Sequence, residues 1–294
     1  MSVKMNLRRG GAVVIAALMV AAAGATPARA ATPATTNAVT GAYKVVLSGN
    51  RVGVVAGGVA MVKEGSLNAP WVTQYQNVYD LAMDGNRIAV LTTDFRVLVK
   101  EGGLNAAWVT ERTNAAGVSL SGDRIGVVAD GKVLVKEGGL KAPWVTEYTA
   151  SRVALSGNRI GVVTGSKLLV KEGGLSAPWV VEATNEEDFA LSGDRIGMIT
   201  NTDLQALVKE GGLSTGWTNE FFGAEAIVLS GDRIALVTDQ SSAEVKEGTV
   251  HALWTTVTTD AKSLALSGNR IGVVNSSGSV LVKEGGLSTG WVRV

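Results

Sequence analysis

The sequence predicts an all-β protein, a seven-bladed β-propeller of four-stranded antiparallel blades. Three recurrences carry that prediction. Trp stands at 71, 108, 144, 179, 217, 254 and 291, and the chain has no other Trp. Arg stands at 51, 87, 124, 159, 195, 233 and 270, and a Lys-Glu pair begins at 63, 100, 136, 171, 209, 246 and 283. A period of about 36 residues, kept seven times, marks units that bury their apolar faces on one another.

The strands follow from a single repeat. From Arg152 to Ala183 the chain reads RVALSG, NRIGVVTG, SKLLVKEGGLSAP and WVVEA. Short Val/Ile/Leu runs bounded by Gly, Asn and Ser are strands rather than helices. They are called A to D. The A–B turn is Gly157-Asn158 here and Gly122-Asp123 or Gly231-Asp232 elsewhere, which predicts a two-residue type II′ hairpin with φ > 0 at the first position. The B–C turns Gly57-Gly58, Asp130-Gly131 and Gly165-Ser166 are also two-residue hairpin signals. Counting back from them sets Arg51 opposite Glu64, Arg124 opposite Glu137 and Arg159 opposite Glu172. An antiparallel Arg–Glu pair is therefore expected in every blade, and an exposed pair of this kind contributes only about 0.2–1 kcal/mol.

Strand A alternates large and small, as in Val153-Ala154-Leu155 and Phe189-Ala190-Leu191. Strand B is apolar on both faces, so it is covered on both sides. The second residue after each Arg is small: Gly53, Ala89, Gly126, Gly161, Gly197, Ala235 and Gly272. A bulky group is expected across it, with the repeat's Trp as the candidate. An open solenoid would need distinct polar caps. The last repeat ends at Trp291-Val292-Arg293-Val294 and looks like the others, which favours a closed ring.

Residues 1–30 read as a secretory signal peptide. Lys4, Arg8 and Arg9 form a basic start, Gly11 to Ala23 is an apolar run, and Ala28-Arg29-Ala30 fits the small-x-small cleavage rule. Residues 31–42 read as a disordered leader and 43–294 as the propeller, so a secreted, extracellular protein is expected. Cleavage removes four positive charges from a formal net charge of +1 and leaves −3. Dispersed, mildly acidic charge gives no footprint for nucleic acid, and no membrane contact is expected after cleavage. With no cysteine, stability must come from burial.

Hairpin order sorts the loops. The A–B and C–D turns share one end, nearly constant among repeats (SG[N/D]R, KEGGLSAP). The B–C turns and D–A links share the other, which varies. Many copies of a small ligand would use the constant end, whereas one large partner would use the variable end.

The candidate binding residues are Trp71, Trp108, Trp144, Trp179, Trp217, Trp254 and Trp291, with the pairs Arg124–Glu137 and Arg159–Glu172. The Trp rings either stack on sugars or pack between blades. The pairs either hold hydroxyl groups or set register and satisfy blade edges. The repeated Lys residues point to the other face of strand C and are expected to be solvated or stacked on a neighbour. No catalytic set is apparent: His251 is the lone histidine, at a drifted loop position, and no Cys exists. Glu186, Glu187 and Asp188 are expected to be an exposed, solvated cluster in a link. They lack the spaced ligands of a calcium loop, so no metal or cofactor is expected.

The stretch RIGVVTGSKLLVKEGGLSAPW (159–179) and its copies resemble the tachylectin and tectonin type of β-propeller lectin repeat. That resemblance implies a secreted carbohydrate-binding propeller with sites repeated in each blade and glycans as partners. The alternative is a secreted scaffold that binds a protein partner through its variable face. No enzyme is expected on either reading.

Overall fold

Residues 38–294 are described in the computed structural model, and their regular elements are all β-strands. Twenty-eight strands form seven four-stranded sheets, each from consecutive strands in the order A-B-C-D. Blade 4 is typical: A is Arg152–Ser156, B is Arg159–Thr164, C is Lys167–Glu172 and D is Val180–Ala183. The repeat Arg faces its Glu in all seven blades, as the turn chemistry requires. The first residue of each A–B turn has positive φ, Gly157 at 55° for example, and the second does not. That is the sign pattern of a type II′ turn.

Strand B is buried along its whole length in most blades because neighbours cover both of its faces. The small residue after the Arg shows how closely they approach. A Cβ on Gly161 would lie 2.7 Å from Phe189 Cε2 and 3.1 Å from Leu191 Cδ1. On Gly197 it would lie 2.6 Å from Ile227 Cδ1. The group across this position is thus the large pair on strand A of the next blade, and the Trp expected there is not. Strand A alternates large and small because its large residues fill the space the preceding blade leaves open.

Each apolar cluster is shared between adjacent blades. The first joins Val45, Leu47 and Trp71 of blade 1 to Val280, Val282 and Val294 of blade 7, so the ring is closed. Among the described residues no strand is exchanged between blades. Closure adds one feature the other junctions do not need. Val39 is buried, packs in the same cluster as Trp71, and donates its N–H to Val294 O at 2.8 Å. It stands three residues before strand A of blade 1, where Tyr75 stands before blade 2, and so completes the outer edge from the chain's other end. The expected signal peptide lies outside the described residues, as does most of the expected leader.

The A strands are innermost and pack against one another around the ring. They line the central channel, and their first residues lie at the variable end.

Candidate binding site at the channel mouth

The constant end is a belt of repeated polar residues, and each points into its own ring. Arg124 Nε donates to Glu137 Oε1 at 2.7 Å. Its Nη2 donates to Gly173 O of the next blade at 2.6 Å, and its Nη1 to Gly157 O at 3.3 Å. Arg159 Nε and Nη2 hold Glu172 Oε2 at 3.0 and 2.9 Å, and Nη2 also reaches Gly211 O. All seven repeat Arg residues make this reach to the next blade's KEG glycine. Each Arg is buried, while the Glu side chains remain 29–41% exposed. The pair is therefore a staple between blades as well as a register device.

The repeated Lys residues are not solvated, contrary to one of the two expectations for them. All seven are 1–2% exposed. Each Nζ donates to the carbonyl four residues on and lies 4.5–5.2 Å from the centroid of its own blade's Trp. Such cation–π placement partly compensates a desolvated ammonium. At four junctions a Glu three residues past the preceding Trp completes the site: Glu111–Lys136, Glu147–Lys171, Glu182–Lys209 and Glu220–Lys246. Gln74 serves Lys100. At the remaining two junctions that position is Val294 or Val257, and among the described residues no carboxylate is paired with Lys63 or Lys283. Burial pulls Lys63 down to about 8.

The seven Trp rings lie at the same junctions. Trp108, Trp254 and Trp291 donate their indole N–H to carbonyls of the preceding blade at 3.1–3.3 Å. Tyr75, Tyr148 and Phe221 meet Trp108, Trp179 and Trp254 edge-on. Trp71 is 1% exposed, and Trp108, Trp144, Trp179, Trp217, Trp254 and Trp291 are partly covered.

The variable end is built differently. In five blades the start of strand A carries a register shift against strand B, which leaves one extra residue unpaired: Tyr43, Tyr79, Ala116, Glu187 and Glu225. Bulges of this kind re-aim side chains. Ser151 and Lys262 hold the same place in the other two blades. This outermost ring holds Tyr twice, Glu twice and Ala, Ser and Lys once each, with Tyr43 49% and Tyr79 45% exposed. Phe95, in the B–C turn of the same blade as Tyr79, is 46% exposed. The Tyr43 hydroxyl donates to the carbonyls of Val78 and Tyr79 at 3.1 Å. Burial, with Asp80 and Tyr79 nearby, pushes this phenol up to about 12, so it remains a donor at ordinary pH.

One residue deeper the ring reads Lys44, Asp80, Gly117, Arg152, Asp188, Ala226 and Ser263 around the channel. Lys44 pairs with Asp80. Arg152 pairs with Glu186 and lies 3.6 Å from Asp188. The expected solvated cluster is thus mostly not solvated: Glu186 and Asp188 are 4% and 3% exposed, at the start of strand A of blade 5 (Glu186–Ser192). The bulge between them turns both inward and leaves Glu187 only partly buried. Burial pushes Glu186 up to about 7 against the pull of Arg152, and Asp188 and Glu187 add to the rise. Burial likewise pushes Asp188 up to about 6, opposed by Arg152 and by the Ile227 N–H, which donates to it at 3.1 Å. A gap of about 210 Å³ lies over Gly117, between Asp80 and Arg152.

These mouth residues were not among the sequence candidates. The signal for the two rings was present: their residues stand seven and eight before the repeat Arg, in columns that vary among the blades.

No family model and no curated protein matches the chain. Solved structures do. Hsv2 of Kluyveromyces lactis, with its complete loop 6CD, superposes with a TM-score of 0.62 at 10% identity, over 87% of this chain and 98% of that one. Prp20p from Saccharomyces cerevisiae, described with its binding to Gsp1p and histones, gives 0.61 at 10% identity over 76% and 80%. YCF48 bound to D1 peptide gives 0.51 at 13% identity over 74% and 80%. Likeness at such low identity establishes the fold class, a β-propeller, and the function must be argued from the site.

Proposed function

We propose that this is a secreted, non-catalytic binding propeller that takes a protein or peptide partner at its variable end, around the channel mouth. The observation that carries this is the bulged ring. Its residue varies among the blades (Tyr, Ala, Ser, Glu or Lys), and with Phe95 it presents three aromatic side chains, each nearly half exposed. Exposed Tyr and Phe beside a concave centre are the usual anchors of protein recognition. The repeated residues of the other end are instead spent on blade-to-blade bonds. The similar propellers described with Gsp1p and histones or with a D1 peptide support a polypeptide partner by analogy.

Carbohydrate binding at the repeated positions is the second reading. It is favoured by the partly uncovered faces of six Trp residues and by the open Glu arms of the seven pairs. A glycan array and a capture experiment on the purified mature chain separate the two. The partner reading expects a flat array and retention of one defined protein, lost on Phe95→Asn. Strong binding to multivalent glycans, weak binding to single sugars and indifference to Phe95→Asn would overturn it in favour of the lectin.

A further inference from the structure

The second ring of the channel carries charge at Lys44, Asp80, Arg152 and Asp188, and between Asp80 and Arg152 blade 3 contributes Gly117, which lines the 210 Å³ cavity. Its apolar wall includes Val118, Val128, Val153 and Phe189. Most polar groups in the wall are already engaged. Ser119 Oγ accepts the Leu155 N–H at 3.0 Å, and Ser151 Oγ donates to Val163 O at 3.2 Å. Asp80 Oδ1 accepts from Lys44 and, at 2.8 Å, from the Leu81 N–H.

Arg152 is the exception. Its Nη2 donates to Glu186, but among the described residues its Nε and Nη1 donate to no group within hydrogen-bond distance, Nη1 lying 3.6 Å from Asp188. Arg152 lines the cavity and its two carboxylate partners do not. The guanidinium is 16% exposed, while the Glu186 and Asp188 side chains are 0% and 4% exposed. A ligand entering over Gly117 therefore meets a cation with donors to spare, its anions shielded from the opening. A guanidinium fork suits a carboxylate, which can take two parallel N–H bonds, and it repels an amine. Lys44 neutralises the one carboxylate in the wall.

We propose that the cavity over Gly117 binds a carboxylate group carried on a short apolar stem, with the Arg152 guanidinium as its anchor. The group comes either from a free short-chain acid or from a chain end or acidic side chain of a polypeptide. The polypeptide source rests on the partner reading above, and the free acid does not.

The test is a titration of the full mature chain, by calorimetry or by NMR, with four probes. These are butyrate, butylamine, a short peptide ending in valine with a free carboxyl group, and the same peptide amidated. Butyrate is expected to bind and butylamine not. Arg152→Gln is expected to weaken butyrate at least about ten-fold, the equivalent of one charge-assisted hydrogen bond. Gly117→Val provides a second variant that leaves every charged group in place. An added Cβ there meets nothing closer than Val128 Cγ2 at 3.6 Å; the variant is expected to lose butyrate, with a thermal melt matching wild type as the control that it folds. If the free-carboxyl peptide binds more tightly than butyrate and amidation abolishes it, the group is polypeptide-borne. If butyrate alone binds, it is a free acid. Equal binding of butyrate and butylamine, binding of neither acid nor peptide, or undiminished butyrate binding by Gly117→Val would overturn the proposal. None of those results touches the partner reading, which the capture experiment tests separately.

Discussion

The two ends of this propeller share one backbone plan and use it in opposite ways. At the constant end, Arg, Glu, Lys and Trp recur at every blade, and the buried Arg and Lys are bonded within and between blades while the Glu side chains stay partly exposed. Arg159 holds its own Glu172 and a carbonyl of the next blade, and Lys171 lies between Trp179 and Glu147. At the variable end, equivalent positions carry Tyr43, Tyr79, Ala116, Ser151, Glu187, Glu225 and Lys262, with no shared partner. The difference shows what repetition means in a closed ring. A residue needed at every joint must recur at every joint. A residue that meets an asymmetric partner has no reason to recur.

The largest expected effect lies in the belt. Trp144→Ala should cost about 3–5 kcal/mol in denaturant unfolding, because the ring fills a junction with Lys136 and Arg112 against it. Unchanged stability with lost ligand binding would break the comparison and make the belt a binding surface. Arg159→Gln comes next, at about 1.5–3 kcal/mol, since charge-assisted bonds to Glu172 and to Gly211 O are lost together. An effect below the range for an exposed pair would mean that the staple is ornamental.

The third prediction concerns pH. Glu186 moves from 4.5 up to about 7 on folding, and Asp188 from 3.8 up to about 6. Both bind protons more tightly in the folded chain. Their contribution is therefore most favourable below the unfolded values and is lost as pH rises through the folded ones. Unfolding of the wild type should show a stabilising component on going from pH 8 to pH 5 that is reduced in Glu186→Gln. The groups facing this carboxylate are Arg152, Asp188 and Glu187. Identical pH profiles for the two proteins would show that Glu186 is not held buried at the mouth.

The smallest stability effect should come from the mouth itself. Phe95 has φ of 60° and an exposed ring, and Asn tolerates that backbone region better. Phe95→Asn should change stability by no more than about 0.5 kcal/mol while partner capture falls. A large loss of stability would place Phe95 in the fold instead.

Much of the fold was legible because it is local and repeated. Turn chemistry at Gly57-Gly58, Asp130-Gly131 and Gly165-Ser166 sets the Arg–Glu register by counting alone, and the rest of the ring follows it. What crosses from one blade to the next was harder to read. Gly161 announces a close approach but not its source, and Phe189 and Leu191 come from a segment about one repeat away. For Lys171 the sequence left solvation and stacking both open, because the chain shows its charge but not Glu147 beside it or Trp179 beneath it. Glu186 and Asp188 looked like an exposed acidic run because the bulge that turns both inward depends on pairing with strand B of the same blade. The variable end was legible as a surface for one large partner, but not which of its residues gather at the mouth, because the bulges there are set by pairing between strands.

The most direct test is hydrogen exchange on the chain alone and with its captured partner. The account predicts new protection at the bulged ring and the neighbouring turns, around residues 43–44, 79–80 and 93–96, with the Trp and KEG segments unchanged. Protection confined to the Trp and KEG segments, repeated blade after blade, would contradict it.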